Sequence, residues 1–199
     1  MAKMSDKTFY TLISLFEELR GEHVVVRPYR ESDTEAVFEA RMESREHLLP
    51  WMPFAQGDWT LEAQRDLLIR WMAAWLRREQ LFTGFWHAVT GRYLGSSGLH
   101  VHSWETGYFE IGYWVRASET GKGYVTEAVK LQTEYAFTHL HANRVEICCD
   151  ERNERSAAVA RRSGFVQEGR LRNEQFDVTG KLRNTLIFAL TPEDRTTVK

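Results

Sequence analysis

Ser118-Glu119-Thr120-Gly121-Lys122-Gly123-Tyr124-Val125-Thr126 is the stretch on which the reading of the fold turns. Before it, Glu110-Ile111-Gly112-Tyr113-Trp114-Val115 reads as part of a β-strand. After it, Val125, Val129, Gln132 and Ala136 recur along one side of a helix that ends near His139. A strand, a glycine loop and a helix start leave several backbone N–H groups unpaired at one point, where the helix dipole favours an anion. The two glycines let backbone approach a ligand closely. The loop lacks the Gly-Lys-Ser/Thr ending of nucleotide triphosphatases and the spacing of the dinucleotide fingerprint. Taken alone, it is equally a plain glycine turn entering a helix.

The flanks supply the architecture. Beyond the helix, Arg144 to Cys149 reads as a strand, and a strand, crossover helix and strand imply a parallel pair. Before the loop, Phe82 to Val89, Tyr93 to His102 and Tyr108 to Val115 are β-rich runs separated by turn residues, an antiparallel meander. Further upstream, Val24-Val25-Val26-Arg27-Pro28 reads as a strand, and Ser32 with Glu35 forms a capping-box start for a helix to about Met42. Thr60 caps a second helix carrying Leu61, Leu68, Trp71, Met72 and Trp75 and ending near Arg77-Arg78. Downstream come a helix to about Ser163, a strand from Phe165 to Leu171, a turn at Asp177 to Gly180 and a strand from Thr185 to Leu190. Phe9, Leu12, Ile13, Phe16 and Leu19 recur at helical spacing and predict an N-terminal helix docked on the body or on a second subunit. The class is α/β with a mixed sheet: a helical extension over 1–22, one domain over 23–192 and a tail over 193–199.

Composition bounds the function. The 199 residues are 43% hydrophobic and 27% charged, values of a globular chain with a sizeable core. With 26 Lys+Arg against 28 Asp+Glu, no basic excess points to nucleic acid or a membrane surface. No apolar run reaches the roughly 18 residues of a membrane span, and no targeting signal is read at the start. The two cysteines, Cys148 and Cys149, are neighbours in a strand, which is no disulfide framework and fits a reducing cytoplasm. Neither sits in a sequence context that marks a nucleophile, so both read as core residues.

With Asn153-Glu154-Arg155-Ser156-Ala157-Ala158-Val159-Ala160-Arg161-Arg162-Ser163-Gly164-Phe165 following the parallel strand, the chain resembles the Gcn5-related N-acetyltransferases, and among them the RimJ/RimL type. The resemblance runs from Val24 to Leu190 and includes His47-Leu48-Leu49-Pro50-Trp51-Met52-Pro53. One departure is Ser118, which stands where the wider family often has Gln or Arg.

The resemblance implies a mixed, mostly antiparallel central sheet flanked by helices, with a parallel strand pair splayed around an acetyl-CoA site. It implies transfer of acetyl from acetyl-CoA directly to a primary amine, with a ribosomal or other protein N-terminus as acceptor, no metal, and a homodimer. The pyrophosphate maps onto Thr120, Gly121, Lys122, Gly123, Tyr124, Val125 and Thr126, with Lys122 as counter-charge. Arg116, Arg161 and Arg162 are further phosphate candidates or plain surface arginines. Backbone around Trp114 and Val115 would hold the pantetheine arm and supply an oxyanion N–H. Asn153 would bond a pantetheine amide and Ser156 would protonate the departing thiolate, although Asn is also a favoured helix N-cap and Ser an ordinary first-turn residue. For the base, Glu110 shares a strand face with Gly112 and Trp114. The family's other glutamate position falls at Gln175, with Glu174 beside it. His100 and His102, on one face of the preceding strand, are relay or structural residues. Trp51, Phe54 and Trp59 would line the acceptor entrance. The alternatives are an acetyltransferase for a small amine such as a polyamine, aminoglycoside or amino-acid derivative, and a non-catalytic acyl-CoA-binding module.

Overall fold

In the computed structural model, which describes residues 10–196, the strands are β1 (Leu19–Arg20), β2 (Val24–Pro28), β3 (Gln80–His87), β4 (Tyr93–Ser103), β5 (Tyr108–Val115), β6 (Arg144–Asp150), β7 (Val166–Phe176) and β8 (Leu182–Leu190). They form one sheet in the order β1-β2-β3-β4-β5-β6-β8-β7, antiparallel throughout except for β5 and β6. The helices are α1 (Thr34–Glu43), α2 (Arg45–Leu48), α3 (Leu61–Leu76), α4 (Tyr124–Thr138), α5 (Glu154–Arg162) and α6 (Pro192–Thr196). None is long and apolar enough to cross a membrane.

Strand alternation divides the core between the two faces of the sheet. Phe109 and Ile111 of β5 pack with Val129 and Ala136 of α4 and with Ala157 and Ala160 of α5. Trp114 faces the other way, toward Val37 of α1 and Leu68 of α3. A buried polar network seats α4 on the meander: Ser97 Oγ donates to Gln132 Oε1 at 2.5 Å, and Gln132 Nε2 donates to Thr83 Oγ1 at 3.0 Å.

The feature that positions the site is where β5 and β6 stop pairing. Only Tyr108↔Arg144, Phe109↔Val145 and Glu110↔Glu146 are in register. Beyond them β5 stays on β4 as far as Val115, while β6 follows β8 to Asp150. Each strand keeps its outer neighbour, so the sheet opens into a wedge at the carboxyl ends of the pair.

Three local expectations need correction. Residues 10–20 are not a helix: a 3-10 turn at Tyr10–Leu12 leads through an extended stretch into β1. The carbonyls such a helix would use are taken by tertiary donors, Ile13 O by Arg78 Nη2 at 3.0 Å and Ser14 O by Tyr135 OH at 3.3 Å. Phe16 meanwhile packs edge-on between Trp75 and Tyr135. The part of that expectation resting on Phe9 lies outside the described residues. Upstream of α1, Ser32 is not the cap. It sits in a 3-10 turn, Glu31–Asp33, where Asp33 accepts the Arg30 N–H at 2.7 Å and pairs with Arg27. Finally, β7 runs five residues past Leu171, through an irregularity at Asn173, whose φ is 52°. Thr60 does cap α3, accepting from Ala63 N at 3.1 Å.

Candidate functional site

A cavity of about 750 Å³ occupies the wedge. Trp114 and Val115 of β5, the loop and helix start at Thr120, Gly121, Gly123, Tyr124, Val125 and Thr126, and Asn153 and Ser156 at the start of α5 all line it, as does Trp51. Eleven residues nominated from the sequence are thus brought together by an opening that no single motif encodes.

The glycine loop is shaped by backbone. Gly121 and Gly123 have φ of 77° and 85°, the left-handed region that side chains disfavour. Gly123 is the N-cap of α4 and no side chain caps the helix. Its first-turn N–H groups therefore have no intrahelical acceptor and stand at the cavity wall. The loop is anchored from behind. Arg116, buried to 3% exposure, donates to Glu43 Oε2 at 2.6 Å and Glu39 Oε1 at 2.5 Å. Ala117 N–H bonds Ser44 Oγ at 2.9 Å and Ser118 N–H bonds Glu43 Oε1 at 3.2 Å. Arg116 is therefore neither a phosphate ligand nor a surface residue but the pin that ties the loop to α1. Position 118 contributes its backbone N–H and also its hydroxyl, which bonds the Glu43 carboxyl and accepts from Arg92 at 3.3 Å.

Lys122 does not line the cavity: Glu119, which does, holds its Nζ at 2.8 Å and also pairs with Arg92 at 2.9 Å. Among the arginines nominated for phosphate, Arg162 lines the cavity and Arg161 does not.

At the opposite wall Asn153 accepts the Ser156 N–H at 3.1 Å, so it is an N-cap, and its Nδ2 has no bond among those of the described residues. Ser156 Oγ lies 3.0 Å from Tyr113 OH, which also donates to the Ser156 carbonyl at 3.1 Å. Burial pushes the Tyr113 phenol well above its ordinary pKa, with the Ser156 bond opposing, so the pair is neutral and linked. Tyr113 was not singled out from the sequence. Alternation from Trp114 places it on the α5 face, which is the signal that would have found it.

The remaining nominees lie elsewhere. Glu110 Oε2 is 3.0 Å from His102 Nε2, at the paired end of the strands, and does not line the cavity. Glu174 sits on the edge strand β7, where Thr185 Oγ1 donates to it at 2.9 Å. Phe54 and Trp59 do not line the cavity. They flank the buried Arg41 guanidinium, at 4.4 and 3.4 Å from their ring centres. Leu48, Met52 and His47 line the cavity with Trp51. Burial, then the nearby Arg155, hold the His47 imidazole below its usual pKa, so it is neutral near pH 7. Cys149 is a core residue as expected, whereas Cys148 is only half-buried. Burial, then Glu110 and Glu146, raise the Cys148 thiol to about 12, and burial raises Cys149. A thiol held protonated is a poor nucleophile.

Comparison with known proteins agrees with this geometry. Residues 23–166 match the family model described as acetyltransferase (GNAT) domain. YdaF of Bacillus subtilis (strain 168), named provisionally as a ribosomal N-acetyltransferase, is 30% identical over 172 residues, 85% of this chain and 92% of that protein. Mycobacterium smegmatis RimJ, solved with a CoA disulfide, superposes with a TM-score of 0.75 at 29% identity, covering 86% of this chain and 83% of RimJ. A RimL ribosomal L7/L12 alpha-N-protein acetyltransferase solved with coenzyme A shares the fold, with a TM-score of 0.81 at 21% identity over 88% of this chain and 98% of that one.

Proposed function

The chain belongs to the acetyltransferase (GNAT) domain family, and for this acetyl-CoA-dependent N-acetyltransferase we propose a protein N-terminal α-amine as the acceptor. The observation that carries the proposal is the similarity to YdaF along nearly the whole of both chains, which includes the acceptor side of the wedge as well as the loop.

In this reading the pyrophosphate lies on the backbone N–H groups between Thr120 and Thr126, an arrangement favoured by the uncapped helix start. The pantetheine arm takes the place β6 vacates beside Trp114 and Val115, using strand edge that has no partner past Glu110. A main-chain N–H in that segment faces the thioester oxygen, where charge develops as the amine attacks. The Asn153 side-chain amide bonds the arm. Ser156 delivers the proton that the CoA thiolate takes up, and Tyr113 OH, 3.0 Å behind it, supports the transfer. The α-amine of a protein, with a pKa of about 7.7–8.0, is substantially neutral near pH 7–8, so the site has only a modest deprotonation to assist.

The test is incubation with acetyl-CoA and a panel of acceptors, read by mass spectrometry: peptides beginning with Ser, Ala or Thr, a lysine peptide blocked at its N-terminus, a polyamine and an aminoglycoside. Acetylation of a peptide α-amine is the expected outcome. Modification of the small amines alone would reassign the acceptor.

A further inference from the structure

We propose that His100 is the catalytic residue that takes the proton from the attacking amine, with Gln80 as its positioning residue. This rests on the acetyltransferase reading and adds the base that reading lacks.

The argument begins with hydrogen-bond direction. Val101 N–H, which can only donate, points at Gln80 Oε1 at 3.3 Å, so that atom is the carbonyl oxygen. The same oxygen lies 3.1 Å from His100 Nδ1, which must therefore carry its hydrogen. In the neutral ring this leaves the lone pair on Nε2. No hydrogen bond among the described residues ends on that atom.

Its location is the second part. His100 of β4 stands directly opposite Glu110 of β5, and the ring leans along the strand over Gly112. A Cβ at Gly112 would come within 2.9 Å of Nε2, so the absence of a side chain there is what admits the imidazole. Gly112 is just past the last β5–β6 pair at Glu110 and shares a face with Trp114, which lines the cavity. Nε2 thus lies over Gly112, two residues past the last β5–β6 pair and on the face opposite Ser156 and Tyr113; the ring is not itself among the cavity-lining residues, so the amine has to approach it over Gly112. Phe82 closes the ring in edge-on at 5.5 Å.

The titratable groups facing the ring are Glu110 across the strand and His102 along it, themselves 3.0 Å apart. Burial is the main influence on the imidazole and lowers its pKa, with Glu110 raising it and His102 lowering it. His100 is therefore an unprotonated acceptor at neutral pH. Once it gains a proton, the Glu110 carboxylate is the available counter-charge, which gives that residue a supporting part. In the transfer, the neutral amine nitrogen forms the N–C bond to the thioester carbon. The C–S bond breaks with its electron pair on sulfur, the nitrogen sheds one proton to His100 Nε2, and the thiolate gains one from Ser156. The products are the amide and free CoA, and the enzyme returns to its starting state as Ser156 regains a proton from solvent and His100 gives its proton up to solvent.

Two measurements test this. Nitrogen-15 NMR of the imidazoles in the full chain at pH 7, with His100 assigned by its loss in His100→Gln, should show the neutral Nδ1–H form. An Nε2–H form or a cation overturns the proposal, whatever the acceptor proves to be. Next, kcat/KM is followed against pH for the wild type, His100→Gln and Gln80→Glu, with calorimetric Kd for acetyl-CoA as the check on folding and binding. His100→Gln should lower kcat/KM about a hundredfold or more and take the lower-lying enzyme ionisation out of the acid side of the profile, leaving only the limb set by the acceptor amine, with Kd unchanged. Gln80→Glu places a carboxylate on Nδ1–H and should move the lower, enzyme-derived ionisation of the acid side to higher pH, with the amine's own limb in place. Full activity in His100→Gln, or an unmoved profile in Gln80→Glu, overturns the assignment. A wild type inactive on every acceptor would count against the acceptor reading, while the tautomer measurement still decides on His100.

Discussion

The two ends of the β5–β6 pair are built from the same strands and do opposite things. At the paired end, side-chain charges neutralise one another. Glu146, 7% exposed, takes bonds from Arg144 at 2.9 Å and from Tyr108 OH, Arg144 also reaches Glu168 at 2.8 Å, and Glu110 meets His102. At the parted end the exposed groups are a strand edge, uncapped helix amides and the Ser156–Tyr113 hydroxyls. Where backbone pairs, polar side chains have to satisfy each other. Where it parts, the backbone itself becomes the binding surface.

The largest effect that would sharpen this contrast is expected at the parted end. Ser156→Ala should lower the transfer rate about a hundredfold with acetyl-CoA affinity within twofold of wild type, read by steady-state kinetics and calorimetry. Equal loss of both would make Ser156 a binding residue. At the paired end, Glu146→Gln should leave the rate per folded molecule unchanged and cost about 1–3 kcal/mol in denaturant unfolding, because Arg144 loses a carboxylate partner. A rate loss without a stability loss there would erase the distinction.

A smaller effect is expected in the anchor behind the loop. Burial pushes the Glu43 carboxyl up, but its bonds with Ser118 and Arg116 outweigh this, and the net pKa is lowered from 4.5. A depressed carboxylate stabilises the fold above its unfolded pKa, and that contribution is lost as pH falls through the folded value. Thermal melts below about pH 4.5 should therefore fall more steeply for wild type than for Glu43→Gln, by about 1 kcal/mol or less for so accessible a group. The smallest effect is expected for Lys122→Ala. With its ammonium held by Glu119, acetyl-CoA affinity should change by less than about 0.5 kcal/mol at 0.15 M salt. A larger loss would mean that Lys122 leaves Glu119 for the phosphate.

The loop, the Asn153–Ser156 turn and the strand before them were legible because each is local: glycine at positive φ, an Asn cap and two-residue alternation need no knowledge of distant chain. Lys122, Phe54, Trp59 and Glu174 were misplaced for the opposite reason. Lys122 carried the expected charge, but Glu119 had claimed it, and the aromatics were drawn to Arg41, a buried cation that no spacing in the sequence announces. Tyr113 was within reach of alternation, yet its importance depends on α5 arriving beside it.

The sequence by itself determined the order of elements, the crossover that makes one parallel pair, and the glycine loop at a helix start. These follow from periodicity and from what single residues permit the backbone. Only the tertiary structure decided where that pair parts, which side chains are already spoken for, and which nitrogen of His100 is free. Those outcomes depend on hydrogen bonds and ion pairs between residues far apart in the chain, so they exist only once β4, β5, β6 and α1 have been brought together.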